Sequence, residues 1–306
     1  MSRNIYTSYT FYPMHIRRFS IDERFDRPGL RVSAGEPHEV IYLQFPGLSR
    51  HKELVHAVFT RHGGVSDPPY NTLNTGYSTG DRPKRVRVNL QIIKEAIGAR
   101  HLIFMNQVHG REMFILRQGS SEKSEETATA DAIITDIPDL AVMVKQADCQ
   151  GIIIFDPAKG VVANVHCGWR GSTYNILSSV VTRMRSDFGC NESDLMAAIG
   201  PSLGPCCAEF ITHQQIFPVK FRRFMVRENY FDLWEISRGQ LLEEGLKGEN
   251  IEVAGICTRC KTNQFYSYRA EGVTGRFATV AMLKANLTSP ESSHKGPFQV
   301  STPLQV

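Results

Sequence analysis

The sequence lacks the features that mark membrane, secreted and nucleic-acid-binding proteins. No apolar run reaches the roughly 20 residues that a transmembrane helix needs. The N-terminus is polar and basic, without the apolar core of a signal peptide. The net charge is only +4, and no block of Lys and Arg could follow a phosphate backbone. We therefore expect a cytoplasmic protein without membrane contact and without nucleic acid as a partner.

Cysteines are few and unevenly placed. Their number, seven, is odd and their spacing is scattered, which predicts reduced thiols rather than a disulfide framework. Cys257 and Cys260 form a CxxC motif, and Cys206 and Cys207 are adjacent, so a structural zinc or a redox pair can be considered. No second CxxC motif and no histidine spacing supports either one. The expectation for most cysteines is a small buried side chain.

The chain is long enough for a substantial core. It has 306 residues, 42% of them apolar, and neither an internal repeat nor a linker divides its centre. We predict a single α/β domain over residues 39–287. A weakly structured extension is expected at 1–38 and a disordered tail at 288–306.

Apolar spacing indicates alternating strands and helices. Short β-branched runs predict strands at 55–60, 101–105, 112–116, 131–135, 141–145, 195–200 and 251–257. Helical spacing predicts helices at 83–97, from near Ser172 to 188, around 216–226 and at 233–246. The polar segment 118–129 is predicted to be an exposed loop.

The central feature is a predicted hairpin that brings a thiol and an imidazole together. The runs GIIIFD (151–156) and VVANV (161–165) flank the turn 157–160. Cys149 precedes the first strand and His166 follows the second, so the two residues should lie side by side at the end away from the turn. This arrangement suggests either a zinc site or a nucleophilic cysteine with His166 as its base.

Another imidazole follows a different strand. His109 comes shortly after HLIFM (101–105), and together with the other two residues it would make three protein ligands. A catalytic zinc uses three protein ligands and keeps its fourth position open. Pattern alone leaves a metal site and ordinary buried polar residues about equally favoured.

Several arginines are candidates for anion binding. Arg61 follows a strand and precedes Gly63 and Gly64, although a solvated loop is the commoner meaning of this pattern. Arg170 lies at the expected start of a helix beside His166. Tyr268, Arg269 and Arg276 offer further anion-binding capacity, with a surface role equally open.

Six motifs resemble the family long called polyphenol oxidase or laccase-domain proteins, now regarded as purine nucleoside phosphorylases. In chain order they are TRHGGVS, NQVHG, ADC, HCGWRG, IGPSLGPCC and GVTGR, and the match runs from about Ile41 to Ala285. The resemblance implies a layered α/β sandwich with mixed β-sheets, similar to cysteine-hydrolase toxins that deamidate proteins. It also implies a zinc ion held by His109, Cys149 and His166.

The activity implied by the resemblance is phosphorolysis of adenosine, inosine, guanosine or methylthioadenosine, with some adenosine deamination. The substrates would be purine nucleosides and phosphate, and Arg61 and Arg170 are the candidates for holding phosphate. A monomer and a homodimer both remain open. The rival interpretations are a copper-dependent phenol oxidase, disfavoured because the ten histidines include no HxH pair, and a catalytically idle zinc-binding protein.

The chain departs from the family pattern at four places. Ser78 stands where a histidine is usual, Ala270 replaces an arginine, Gln150 replaces a proline and Cys167 replaces an alanine. The three implied ligands are retained, so the chemistry is still expected, with a rate or substrate range that these changes could shift.

Overall fold

The computed structural model describes residues 14–20, 39–117 and 126–285. Most of the predicted extension at 1–38 and the whole predicted tail at 288–306 lie outside these residues. Within the extension, His15–Ser20 forms a strand that pairs antiparallel with Glu39–Gln44.

A first sheet contains seven strands within the described residues. In spatial order these are β1 (His15–Ser20), β2 (Glu39–Gln44), β3 (Leu54–Phe59), β15 (Phe277–Leu283), β8 (Leu140–Gln146), β4 (His101–Asn106) and β6 (Glu126–Thr129). The prediction of a loop over 118–129 is wrong for β6, which pairs in parallel with β4. Backbone pairing at a sheet edge does not require the apolar pattern that the prediction looked for. Residues 118–125 lie outside the described residues.

A second sheet contains six strands. In spatial order they are β14 (Ile251–Val253), β11 (Met196–Ile199), β9 (Gln150–Asp156), β10 (Val161–Cys167), β7 (Ala132–Thr135) and β5 (Met113–Leu116). A separate small pair consists of β12 (Met225–Arg227) and β13 (Tyr230–Phe231). The predicted hairpin is confirmed, because β9 and β10 pair antiparallel and His166 lies opposite Gly151.

Six α-helices accompany the sheets in the described part of the chain. They are α1 (Pro83–Ala96), α2 (Trp169–Tyr174), α3 (Ile176–Phe188), α4 (His213–Ile216), α5 (Leu233–Glu243) and α6 (Tyr268–Glu271). The helix expected from near Ser172 begins earlier, at Trp169, and is interrupted at Asn175, whose left-handed conformation asparagine tolerates well. The helix expected around 216–226 is wrong: Pro218 ends α4, and a short 3₁₀ helix follows. None of these helices combines the length and apolar character that crossing a bilayer requires.

The two large sheets pack face to face between outer helices. In β9, Ile153 and Phe155 belong to the core shared by both sheets, whereas Ile152 and Ile154 belong to the core beneath α3 and α5. Successive side chains of a strand point to opposite faces, and both faces of this strand are covered, so its sequence is a continuous apolar run. On the far side, α1 packs its apolar face on the first sheet. The predicted mixed α/β sandwich is confirmed.

The layering brings several strand ends to one end of the sandwich. Strands β4, β8 and β10 finish there, while β7 and β9 begin there. The short connection from β8 to β9 crosses from the first sheet to the second and carries Asp148 and Cys149. Polar residues that follow or precede these strands therefore meet at this end.

Candidate metal centre

Three predicted ligands converge where these strands meet. One nitrogen each of His109 and His166 and the sulfur of Cys149 all lie within 4.8 Å of one another. The two imidazole rings are 4.9 Å apart between centroids, with an interplanar angle of 72°. Two nitrogens and one sulfur at these separations could hold a metal ion, and the three side chains are a candidate metal site.

Asp131, directly before β7, binds the imidazole of His166 and the backbone at His109. Its Oδ1 lies 2.8 Å from Nδ1 of His166 and accepts the backbone N–H of His109 at 3.0 Å, while Oδ2 accepts the N–H of Gly110 at 2.7 Å. A buried carboxylate that binds Nδ1 leaves Nε2 of His166 available to a metal, the usual support for a histidine ligand. Sequence reasoning missed Asp131, although a lone aspartate directly before a buried strand was a detectable signal.

The protonation of the cluster reflects the same contacts. Burial raises the pKa of the Cys149 thiol, but the charge of His166 and hydrogen bonds from both imidazoles outweigh it and lower the pKa to about 6. Burial lowers the pKa of His166, but Cys149 and Asp131 outweigh it and raise the pKa to about 9. The site therefore favours a thiolate, which is the form of cysteine that binds metals.

Hydrogen bonds from distant residues hold the backbone next to Cys149. Asp148 adopts a positive φ of 85°, which is uncommon for a residue with a side chain. Its carboxylate accepts hydrogen bonds from the hydroxyls of Thr258 and Ser267 at 2.7 Å each and from the N–H of Arg269 at 2.6 Å. These contacts hold the connection from which Cys149 projects, and Asp148 is a second functional residue that sequence reasoning missed.

A cavity of about 620 Å³ opens onto the three ligands. This volume lies within the range of small-molecule sites. Its lining includes four aromatic side chains, Tyr77, Trp169, Phe210 and Tyr268. It also includes three cationic residues, Lys145, Arg269 and Arg276. The combination of aromatic and cationic surface suits a ligand that has both a flat ring and a negative charge.

Arg276 is held in this wall by several hydrogen bonds. Its Nη1 donates to the carbonyls of Thr274 and Gly275, and its guanidinium lies 5.9 Å from the ring centroid of Tyr268. Its backbone N–H donates to Asn74 Oδ1, which ties it to the loop before α1. The anion-binding capacity that the sequence left open for this segment therefore lies at the cavity.

Arg61 is placed elsewhere and is internally paired. It is 7% exposed, and its guanidinium donates to the carbonyls of Asn71 and Thr262 and to the carboxylate of Glu271. It also lies 4.5 Å from the ring centroid of Tyr266. It is not among the residues that line the cavity. Its role in phosphate binding stays a prediction, and its contacts favour a role in joining two loops.

Arg170 lies next to the centre in sequence but does not line the cavity. It is exposed on α2, with its guanidinium 5.1 Å from the ring centroid of Trp169. Phosphate binding by Arg170 also stays a prediction.

The departures from the family pattern fall partly on the cavity. Ser78 and Cys167 line it, whereas Ala270 does not. Burial raises the pKa of Cys167 to about 12, and its sulfur lies 3.4 Å from the hydroxyl of Ser172. Cys167 is therefore a neutral thiol, in contrast to Cys149.

Comparisons with known proteins agree with this architecture. The family model described as multi-copper polyphenol oxidoreductase laccase matches residues 55–284. A purine nucleoside phosphorylase of Bacteroides thetaiotaomicron is 28% identical over 260 residues, which are 79% of this chain and 96% of that protein. The purine nucleoside phosphorylase YfiH of Escherichia coli is 31% identical over 235 residues, which are 73% of this chain and 91% of that protein.

Solved structures show the same fold. The crystal structure of YlmD from Geobacillus stearothermophilus has a TM-score of 0.71 and 26% identity, covering 84% of this chain and 98% of that one. A Bacillus licheniformis protein, the hypothetical protein YfiH, has the same score and identity over 83% of this chain and 98% of its own. The chain therefore belongs to the multi-copper polyphenol oxidoreductase laccase family, and its relatives from Bacteroides thetaiotaomicron and Escherichia coli are named purine nucleoside phosphorylases.

Proposed function

We propose that this protein is a zinc-dependent purine nucleoside phosphorylase, which uses phosphate to release a free purine and ribose 1-phosphate. The observation that carries the proposal is the placement of His109, Cys149 and His166 at a cavity that also presents aromatic and cationic side chains. The names of the relatives point to the same reaction.

The donor set fits zinc. Two imidazoles and one thiolate are ligands that zinc accepts, and Asp131 supplies the support that orients His166. When bound, zinc supplies positive charge that polarises a substrate oxygen. Cys149 serves as a ligand in this proposal rather than as a covalent nucleophile, because a thiolate held by a metal is less free to attack.

The cationic wall suits the phosphate co-substrate. In phosphorolysis, a phosphate oxygen forms a bond to C1′ of the ribose while the bond from C1′ to the purine nitrogen breaks. The electron pair leaves with the base, which takes up the proton of the hydrogen phosphate to give the free purine. Arg276 and Arg269 can hold the phosphate dianion against C1′ by charge-assisted hydrogen bonds. Holding the two reactants in contact is itself a large part of the rate enhancement.

The aromatic wall suits the purine. Tyr77, Trp169, Phe210 and Tyr268 offer flat apolar faces for a base and exclude water from the ribose when the ligand is seated. Adenosine, inosine, guanosine and methylthioadenosine share the purine ring, so all four are proposed as substrates. Adenosine deamination is proposed as a second activity at the same centre.

Copper-dependent phenol oxidation is the rival. Multicopper oxidation needs further histidine ligands near the first metal. Among the described residues, the only other group of metal-binding side chains consists of four cysteines. A cytoplasmic location stays a prediction, as does the choice between a monomer and a homodimer.

The test is release of free base from adenosine and inosine, with and without phosphate, by protein whose zinc and copper contents have been measured. Phosphate-dependent release with formation of ribose 1-phosphate supports the proposal. Ammonia without free base would indicate a deaminase, and turnover of phenols only with copper would indicate the oxidase. No turnover in any condition would indicate an idle zinc-binding protein.

A matched pair of variants ties the activity to the centre. Cys149→Ala should abolish turnover, whereas Cys190→Ala, which changes a buried cysteine outside the cavity, should retain it. Full activity in the Cys149 variant would contradict the site assignment.

A further inference from the structure

A second group of metal-binding side chains lies outside the cavity. The sulfurs of Cys206, Cys207, Cys257 and Cys260 are all within 4.8 Å of one another. None of the four lines the cavity, and Cys207 and Cys257 are buried whereas Cys206 and Cys260 are exposed. We propose that these four cysteines form a structural tetrathiolate zinc site, distinct from the centre at Cys149.

The spacing of the sulfurs is the first argument. With zinc–sulfur bonds of about 2.3 Å, a tetrahedral site places its sulfurs about 3.8 Å apart. Cys260 Sγ lies 3.6 Å from Cys206 Sγ and 3.5 Å from Cys207 Sγ. These separations are close to the tetrahedral edge and far longer than the roughly 2.05 Å of a disulfide bond.

The topology explains how cysteines about fifty residues apart come together. Strands β11 and β14 are parallel neighbours. Their pairing continues past both strands, since Ser202 forms a bridge with Cys257 and the N–H of Thr258 donates to the carbonyl of Ser202. The loop after β11 and the loop after β14 therefore leave the sheet side by side. Each loop contributes two cysteines.

The loop after β11 is shaped around the sulfur of Cys257. The N–H of Gly204 donates to Cys257 Sγ at 3.3 Å, a contact that favours a thiolate. A Cβ on Gly204 would lie 3.0 Å from Cys257 Cβ and 2.7 Å from the indole ring of Trp234. Only glycine allows this close approach, so the turn holds the two cysteine pairs in contact.

The surroundings can balance the charge of the site. Four thiolates and one zinc ion carry a net charge of −2. Arg259 lies inside the CxxC motif and Lys261 follows it directly. The guanidinium of Arg227 donates to the carbonyl of Cys206 at 3.1 Å. Cationic side chains close to the cluster reduce the electrostatic cost of bringing four thiolates together.

The role of this site would be structural, because four protein ligands leave no open position. The loop after β14 continues to Ser267 and Arg269, which bind the Asp148 carboxylate together with Thr258. The other loop contributes the N–H of Leu203, which donates to the Asp148 carbonyl. A metal that joins the two loops would therefore also fix the residue before Cys149.

The test is a count of zinc in the purified full-length chain, kept reduced throughout. The Cys149→Ala variant isolates the proposed site and should retain about one zinc per chain. Adding Cys260→Ser to it should remove that zinc, whereas adding Cys190→Ala should not. Cobalt bound to the Cys149→Ala protein should show intense thiolate-to-metal charge transfer and the visible bands of a tetrahedral site.

Each outcome decides the proposal. A Cys149→Ala protein that folds, binds no zinc or cobalt and keeps four reactive thiols in the cluster would overturn it, as would disulfides among the four cysteines in that protein. If the Cys260→Ser addition prevents folding, the metal count and cobalt spectrum of the Cys149→Ala protein still decide. The zinc content of the Cys149→Ala protein does not depend on the centre at the cavity. Failure of the proposed phosphorylase function is therefore distinguishable from failure of the proposal of a tetrathiolate site.

Discussion

Replacing Gly168 by alanine would place a methyl group against two of the three proposed ligands at the cavity. The added Cβ would lie 2.8 Å from Cys149 Sγ and 3.2 Å from His109 Cδ2. The backbone itself permits alanine, because Gly168 has φ −83° and ψ −178°, which is extended. The effect of the substitution is therefore steric, and it falls on the ligands rather than on the chain that carries them.

The expected fall in zinc affinity follows from the distance that Cys149 Sγ would have to move. Non-bonded heavy atoms prefer separations of about 3.5–4.0 Å, so Cys149 Sγ would have to move by roughly 0.7–1.2 Å. A metal site requires its distances to hold within about 0.2 Å. We expect zinc affinity to fall by at least the roughly 10- to 100-fold measured when supporting residues are altered, or about 1.4–2.8 kcal/mol. Overpacking should also destabilise the fold by about 1–3 kcal/mol.

Gly171→Ala is the matched control. It lies in the same segment, inside α2, and its Cβ would find its nearest neighbours at 3.4 Å and 3.5 Å, which are ordinary contacts. Alanine is also the better helix former. Zinc affinity is measured by competition with a chromophoric chelator, alongside thermal unfolding and kcat/KM. Unchanged affinity in Gly168→Ala would refute the steric argument, as would an equal loss in both variants.

Three further predictions concern the supports of the site and the core. Asp131→Asn should weaken zinc binding roughly 10- to 100-fold, because the neutral amide removes the negative charge that Asp131 places beside His166. Competition with a chelator at fixed pH measures the zinc affinity. An affinity equal to that of the wild type would contradict the supporting role of Asp131. Arg276→Gln should raise the KM for phosphate roughly 10-fold or more and leave the KM for the nucleoside nearly constant, and Arg276→Lys should partly restore the KM for phosphate. A larger effect of Arg170→Ala on the KM for phosphate would show that phosphate binds at the exposed arginine instead. Burial lowers the pKa of His56 to about 4 from its ordinary 6.5, so between these pH values the unfolded chain binds more protons than the folded chain. The free energy of unfolding therefore falls as the pH falls, by about 3 kcal/mol in total. Urea unfolding of His56→Gln across this range should show a weaker dependence of that free energy on pH, and the same dependence as in the wild type would contradict the prediction.

The hairpin at residues 150–167 shows how much of the site the sequence carries. Two continuous apolar runs and a Pro/Gly turn define it, and antiparallel pairing then brings Cys149 beside His166. The same logic of strand ends placed His109 nearby. The pairing of Cys149 with His166 was predictable because the hairpin is local in sequence and its strands are buried on both faces.

Charged side chains show where such inference stops. Arg61 has the sequence context of an anion-binding residue, yet its guanidinium is taken up by Glu271 and two carbonyls. Arg276 has an equally ambiguous context and lies in the cavity wall. Two partners of Arg61, Glu271 and the carbonyl of Thr262, are about two hundred residues away in sequence, which no local pattern describes.

The sequence by itself therefore determined the α/β class and the central hairpin that pairs Cys149 with His166, because periodicity and turn residues act over short distances. The layered sandwich and the full ligand set with His109 were implied by the family resemblance. Tertiary structure alone decided that Asp131 supports His166, that Arg276 rather than Arg61 faces the cavity, and that Cys206 and Cys207 meet Cys257 and Cys260. The last of these depends on β11 and β14 being parallel neighbours. Parallel strands are joined by long connections, so their adjacency is a property of the whole fold.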